Sequence, residues 1–251
     1  MRQRKVLAYF PVTDAYTKPL AYIAQPKMER SKRIIIIRNK LKELKRLDRK
    51  KTVFGSQSHN YISKPINSDE IKNYENQYNV LIPDELKLFL IEIGYGAGPD
   101  YGIYNIQKMF SEFDEWNDWM ENISSIQNSF ELKSKDSLEL INSKTDNPDG
   151  FFYKRLKTVN GLLPIQTQGC TYYSFIVING EQKGKIWNLD TNEFDVLPGG
   201  VFREVTFFEW YENWLNDKLE SLGCKKLNDQ NYWERAVSES KMNWLKKILN
   251  K

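Results

Sequence analysis

Histidine is nearly absent: His59 is the single one in 251 residues. A zinc site built on two or three histidines of this chain is excluded. Any Cys–His or Ser–His couple has to use His59 as its base. That residue sits in the polar run Gly55-Ser56-Gln57-Ser58-His59-Asn60, which reads as an exposed loop. Two cysteines, Cys170 and Cys224, are too few for a disulfide framework, and each reads as a free, buried thiol. No apolar run reaches the roughly 18 residues of a membrane-spanning helix. Arg2, Arg4 and Lys5 are followed by no apolar stretch of secretory length, so the expectation is a cytoplasmic protein. With 13 glycines and 9 prolines the chain is not collagen-like or of low complexity.

What is present is ordinary globular composition, rich in rings: 40% hydrophobic, 14% aromatic and 28% charged residues. At about 150 residues per domain, the length allows one domain or two. A segment of that size buries roughly 68–70% of its unfolded surface, enough for a real core.

The net charge of +4 is unevenly distributed. Residues 1–51 carry 16 basic and 4 acidic side chains, and residues 52–251 carry 21 and 29. This is a +12 arm on a −8 globule. In the arm, Pro11, Pro19 and Pro26 break regular structure. From about residue 29 to 50, Ile34, Ile37, Leu41 and Leu44 form one helical stripe. Arg33, Arg38, Lys40, Lys42, Lys45, Arg46 and Arg49 cover much of the remainder. Such a helix suits nucleic-acid phosphates or an anionic membrane surface. The other reading docks the stripe on the globule, and the lack of interleaved aromatics for base stacking favours it.

The globule begins near residue 61. Asn67 and Glu70 stand at capping-box spacing, and Ile71, Tyr74 and Tyr78 follow at helical spacing. Pro83-Asp84-Glu85 opens a second helix with Leu86, Phe89, Leu90 and Ile93 on its apolar face, and Gly94 ends it. The glycines at 94, 96 and 98 follow a helix instead of a strand, so they are no dinucleotide fingerprint; Pro99 and Tyr101 to Ile106 read as a turn into a strand. Residues 111–130 read as a helix with Trp116, Trp119, Met120 and Ile123 on one face. Its other side carries Glu112, Asp114, Glu115, Asp118 and Glu121, with no base among them. Lys144 to Gly150 is a turn cluster in a surface insertion.

From 161 to 197 the pattern is β. Leu162 to Ile165 is one strand, Tyr172 to Ile178 a central strand, Lys185 to Leu189 its hairpin partner, and Glu193 to Leu197 a half-exposed strand after Asp190. Gly180 to Lys185 imitates a Walker loop but is one residue short, has Ile186 where Ser or Thr is required, and leads into a strand. Thr206 and Glu209 form a capping box for a helix that turns Phe207, Trp210, Trp214 and Leu215 inward. Residues 231–250 form a last amphipathic segment with Trp233, Val237, Trp244, Leu245 and Ile248.

Leu81 to Leu90, Gly94 to Gly102, Gly161 to Ile165, Gln168-Gly169-Cys170, Val177 to Gly180, Gly184 to Trp187 and Phe207 to Leu215 occur in an order that resembles the SUKH superfamily, the Smi/Knr-like domain, over about residues 65–220. That superfamily includes bacterial immunity proteins and fungal cell-wall synthesis regulators. The resemblance implies an α+β fold, a single mostly antiparallel sheet packed with helices. Together with the charge division and the last amphipathic pattern, this divides the chain into residues 1–60, a basic extension, 61–222, the SUKH-like domain, and 223–251, a C-terminal helical segment. The resemblance also implies a binding module with no catalytic residues, whose bacterial members pair with toxins that often act on nucleic acid; the residues themselves lead to the expectation of no cofactor and no metal.

A toxin of that kind presents a basic groove, and the −8 globule complements it. The candidate contacts are Glu112, Asp114, Glu115, Asp118 and Glu121, then Asp190, Glu193 and Asp195 at the hairpin edge, with Asp100 and Tyr101 lining a surface. Two alternatives stay open: a regulatory or scaffold protein with several weaker partners, and nucleic-acid contact through Arg33, Arg38, Lys42, Lys45, Arg46 and Arg49.

Overall fold

The isoleucine–leucine stripe of the basic segment forms α1 (Arg30–Leu47), and Ile34, Ile37, Leu41 and Leu44 are all buried on it. The computed structural model describes residues 30–119, 125–133, 159–190, 195–200, 203–224, 229–235 and 237–239. The prolines of the arm, the turn cluster near 148 and the Trp244–Leu245–Ile248 face lie outside them.

After α1 come α2 (Ser56–His59), β1 (Ser63–Lys64), α3 (Ser68–Tyr78), α4 (Asp84–Glu92), β2 (Tyr95–Gly96) and α5 (Ile106–Trp119). Then follow β3 (Leu162–Gly169), β4 (Tyr172–Val177), β5 (Lys185–Asp190), β6 (Asp195–Pro198), β7 (Val205–Thr206) and α6 (Phe207–Ser221). Beyond α6, residues 229–235 and 237–239 are helical. The main sheet is antiparallel in the order β3-β4-β5-β6, and β7 pairs with the other end of β5. β1 and β2 make a separate two-stranded ribbon. The architecture is α+β.

The sheet has two apolar faces because alternate residues point to opposite sides. Leu163, Ile176, Ile186 and Val205 join the main core with α1, α3, α4, α5 and α6. Leu162, Phe175, Val177, Trp187 and Leu189 form a smaller core with Phe130 and Val159, against which Trp116 of α5 packs.

α1 is held on α6 by more than its stripe. Arg33 donates to Glu212 at 2.7 Å and also lies 3.9 Å from Glu85. Lys40, nearly excluded from water, is 2.6 Å from Asp229. Arg30 also pairs with Asp84 at 3.0 Å and Arg38 donates to the Glu92 carbonyl at 2.6 Å, so Arg30, Arg33, Arg38 and Lys40 all reach other elements, while Lys42, Lys45, Arg46 and Arg49 stay exposed.

The helix ends follow local chemistry. Asn67 Oδ1 accepts from the Asp69 amide at the start of α3, and Thr206 and Glu209 complete a reciprocal capping box on α6. Two expectations need correction. Tyr101 to Ile106 is no strand: Asn105 caps the next helix by accepting from the Lys108 amide, and α5 starts at Ile106. Ile106, Met109, Phe110 and Phe113 then bury at helical spacing, one turn earlier than the tryptophans suggested. Met120 and Ile123, like the Trp119 side chain, lie outside what is described. On α6 the inward face is Phe207, Phe208, Tyr211, Leu215 and Leu219, with Trp210 and Trp214 half-buried.

Ile37 is fully buried in the shared core, so Ile37→Ala is expected to cost about 2–5 kcal/mol. Lys42→Ala, on the exposed side, should fall within about 0.5 kcal/mol of the parent. Urea unfolding followed by circular dichroism checks both; an unaffected midpoint for Ile37→Ala would mean that α1 is a loose arm.

Candidate protein-partner surface

The inner sheet face turns polar at one end. Gln166 pairs with Ser174 across β3 and β4, and Ser174 with Asn188 across β4 and β5. Ser174 Oγ donates to Asn188 Oδ1 at 2.8 Å. Gln168 Nε2 donates to Asn188 Oδ1 at 3.0 Å and to Ser174 Oγ at 3.1 Å. Gln166 Nε2 donates to Ser174 Oγ at 3.0 Å and to Asp100 Oδ2 at 3.1 Å. Gln166 and Ser174 are fully buried, so the network is dry at its centre and reaches the surface at Asp100. Burial pushes the Asp100 carboxyl up from its usual range, against the pull of the Gln166 amide and the Lys218 charge.

Asp100 is carried by a tight turn built on glycine. The Gly96 amide donates to the Ile103 carbonyl at 2.8 Å and the Gly102 amide to Pro99 at 2.8 Å. A Cβ on Gly102, whose φ is +91°, would stand 1.7 Å from the Gly96 carbonyl oxygen, so no larger residue closes this turn. A Cβ on Gly55, at the entry to α2, would likewise stand 1.6 Å from the Asp100 carbonyl oxygen. From below, the buried Tyr211 hydroxyl of α6 donates to the Ala97 carbonyl at 3.0 Å.

His59 supports the same turn, and its expected exposure is corrected: only 8% remains accessible. The run around it is short helix α2, which packs its Ser56 and His59 inward. Nδ1 accepts from the Tyr61 amide at 3.0 Å. Nε2 faces the Gly98 and Asp100 carbonyls without a full hydrogen bond to either. Burial, then the Lys51 charge, lowers its pKa from 6.5. Beside it, Asp48 accepts from Tyr61 Oη, Thr52 Oγ1 and the Thr52 amide. These bonds outweigh burial and bring its carboxyl down to about 2.

The rim of this corner is aromatic. Tyr101 (43% exposed) meets Phe54 (59% exposed) edge-on at 5.5 Å, and Gly169 of β3 lies against the Tyr101 ring. Tyr172, also exposed, pairs with Asp190, and Asp190 with Asp195 on β6. Asp100 and Tyr101 therefore share one end of the sheet with Asp190. Glu193 and the Asp195 side chain lie outside the described residues. Cys170, expected buried, is exposed in the β3–β4 turn, and Cys224 is partly buried; neither is in a disulfide among the described residues.

The α5 acids belong elsewhere. Asp114, Glu115 and Asp118 are exposed; Glu112 is paired with Lys108 at 2.7 Å, and Asp114 accepts from the Tyr78 hydroxyl. Glu112 and Glu115 act on Tyr173, which points to the sheet face opposite Ser174. The α5 acids thus interact with Lys108, Tyr78 and Tyr173 instead of the Asp100 network, and Glu121 lies outside the described residues. Gln166, Gln168, Ser174 and Asn188 were missed in sequence. Their signal was polar residues breaking the apolar strands at matching positions, readable only with the register in hand. Among the described residues no group of three or more His, Cys, Asp and Glu has the spacing to hold a metal ion. No helix of the described chain is long and apolar enough to cross a membrane.

Because His59 is held neutral with a depressed pKa, its stabilising contribution is complete above about pH 6.5 and declines as the pH falls below it. His59→Gln should cost about 1–2 kcal/mol at pH 7 and flatten the loss between about pH 7 and pH 5. Urea midpoints at the two pH values measure this; an equally steep loss in the variant would assign the pH dependence to another group.

The match with known families covers the elements that build both features. The model of the SMI1 / KNR4 family (SUKH-1) matches residues 65–220, from just before α3 to the last turn of α6. No curated protein and no solved structure matches the chain. With the matched segment spanning more than half of the 251 residues, and the glycine turn, the sheet and α6 all inside it, the chain belongs to the SMI1 / KNR4 family (SUKH-1).

Proposed function

We propose that this chain is a non-catalytic protein-binding module acting as an immunity protein, which neutralises a toxin that works on nucleic acid. The observation that carries the reading is the exposed carboxylate ridge of Asp114, Glu115 and Asp118 on α5, inside the family domain. A nucleic-acid enzyme concentrates positive charge in its groove, and an acidic ridge steers and orients such a partner. Family membership supports a partner-binding role, and the resemblance of bacterial members to toxin antidotes supplies the class of partner. The arm offers phosphates less than its charge implies, since Arg33 and Lys40 pair with Glu212 and Asp229.

The test is capture from nuclease-treated extract of the native host with the full-length protein. The expected result is one stoichiometric partner bearing a toxin-like domain, whose toxicity is relieved by co-expression. The combined Asp114→Lys, Glu115→Lys, Asp118→Lys variant should slow association roughly 10- to 100-fold at low salt. Several substoichiometric partners, or association indifferent to the reversal, would overturn the reading in favour of a scaffold role. Capture that nuclease abolishes would favour the basic arm.

A further inference from the structure

We propose that the corner formed by Asp100, Gln166 and Tyr101 takes the guanidinium of an arginine side chain presented by a protein partner. The inference rests on the protein-binding reading above and names the chemistry of its anchor.

Hydrogen-bond accounting leads to it. The Ser174 hydroxyl proton goes to Asn188, so Ser174 Oγ can only accept from Gln166 and Gln168. Both N–H groups of Gln166 are used, one on Ser174 and one on Asp100. Its Oε1 is buried and has no hydrogen-bond partner among the described residues. Reversing the amide would set that oxygen against the Asp100 carboxylate, so charge fixes its orientation. The donors at this corner are consumed inside the network, and what remains at its outer end is acceptor: the half-buried Asp100 carboxylate, with the Gln166 oxygen sealed behind it. The carboxylate holds one amide bond and no opposite charge among the described residues, in a half-buried place, which costs free energy until a cation meets it. Among the described residues no ion pair reaches Asp100; Lys218 acts on it only at a distance.

The complement is a group with several N–H donors and a positive charge. Guanidinium offers five in a planar fork, enough to grip the Asp100 carboxylate with two parallel bonds, and its flat face stacks on rings. Tyr101, braced by Phe54, stands beside the carboxylate with 43% of its surface exposed. An ammonium has no such plane and holds its water more strongly. A protein is the committed source: Phe54, Tyr101 and Tyr172 make an exposed aromatic rim beside a half-buried acid, the composition of an interface centre.

The experiment titrates the full-length, isotope-labelled protein with N-acetyl-arginine methylamide and, separately, the lysine analogue at matched ionic strength. Nuclear magnetic resonance follows the Gln166 side-chain amide and the Tyr101 backbone amide. The arginine probe should produce saturable shifts at both, several-fold stronger than the lysine probe. Asp100→Asn keeps an acceptor for Gln166 and should weaken binding by about tenfold or more. Tyr101→Ala should weaken it several-fold while the protein stays folded, as the amide spectrum shows, and Tyr101→Phe, which keeps the ring, should retain most of the binding. Glu115→Lys, on α5, should change nothing. Absence of saturable shifts, equal response to both probes, or indifference to Asp100→Asn and Tyr101→Ala would overturn the assignment. No partner is needed, so this outcome is read independently of whether a toxin is captured.

Discussion

One extra residue in β3 governs the inner face of the sheet. Leu163 pairs with Ile176 and Pro164 with Phe175, but the next pair is Gln166 with Ser174, leaving Ile165 as a bulge. In an unbroken strand Gln166 would point to the Trp187 side and Ile165 alone to the helices. The bulge turns Gln166 inward while Ile165 stays in the main core. The apolar rows of Leu163, Ile176 and Ile186 therefore give way to Gln166, Ser174 and Asn188 without leaving one face. The core ends where the polar network starts, and the glycine turn lands on it through Asp100.

α6 transmits that arrangement to the rest of the molecule. Its capping box fixes the first turn, and Glu85 of α4 adds a bond to the Phe208 amide at 2.9 Å. One turn on, Tyr211 holds the glycine turn and Glu212 holds Arg33 of α1. The Arg33–Glu212 pair is mostly buried, and such a pair returns little net stability against hydrophobic neighbours. What it contributes is register: loss of either partner leaves a charge stranded between α1 and α6. This is why a helix so basic behaves as part of the core. Its charge is partly structural, and net charge along the sequence overstated what it presents to solvent.

The two acidic features suit different parts of an encounter. Asp114, Glu115 and Asp118 are exposed, so their field is long-ranged, salt-sensitive and weak per contact. Asp100 is half-buried beside an aromatic rim, where a charge-assisted bond is stronger and more demanding of geometry. Exposed rim charges act chiefly on association, and buried anchors on dissociation. A small α+β domain can hold both because a helix surface carries one and a glycine turn closed on the sheet carries the other.

Local chemistry in the sequence determined much of this protein. The α1 stripe, the Thr206 capping box, the α4 face from Leu86 to Ile93 and the four long strands rest on spacings of a few residues, and each stands in the structure. The acids of α5 were legible for the same reason, since helical spacing alone exposes them together. Tertiary structure alone decided the rest. His59 looked solvated because its neighbours are polar, yet the glycine turn closes over it. The shift from Trp210 to Tyr211 as the buried ring of α6 depends on where Ala97 lies. The Asp100–Gln166–Ser174–Asn188 network joins residues up to 88 positions apart, through a bulge that no periodicity announces. Short-range patterns record what a residue needs from its own turn or strand. The partners of a buried polar group come from the register of other strands, which only packing of the whole chain sets.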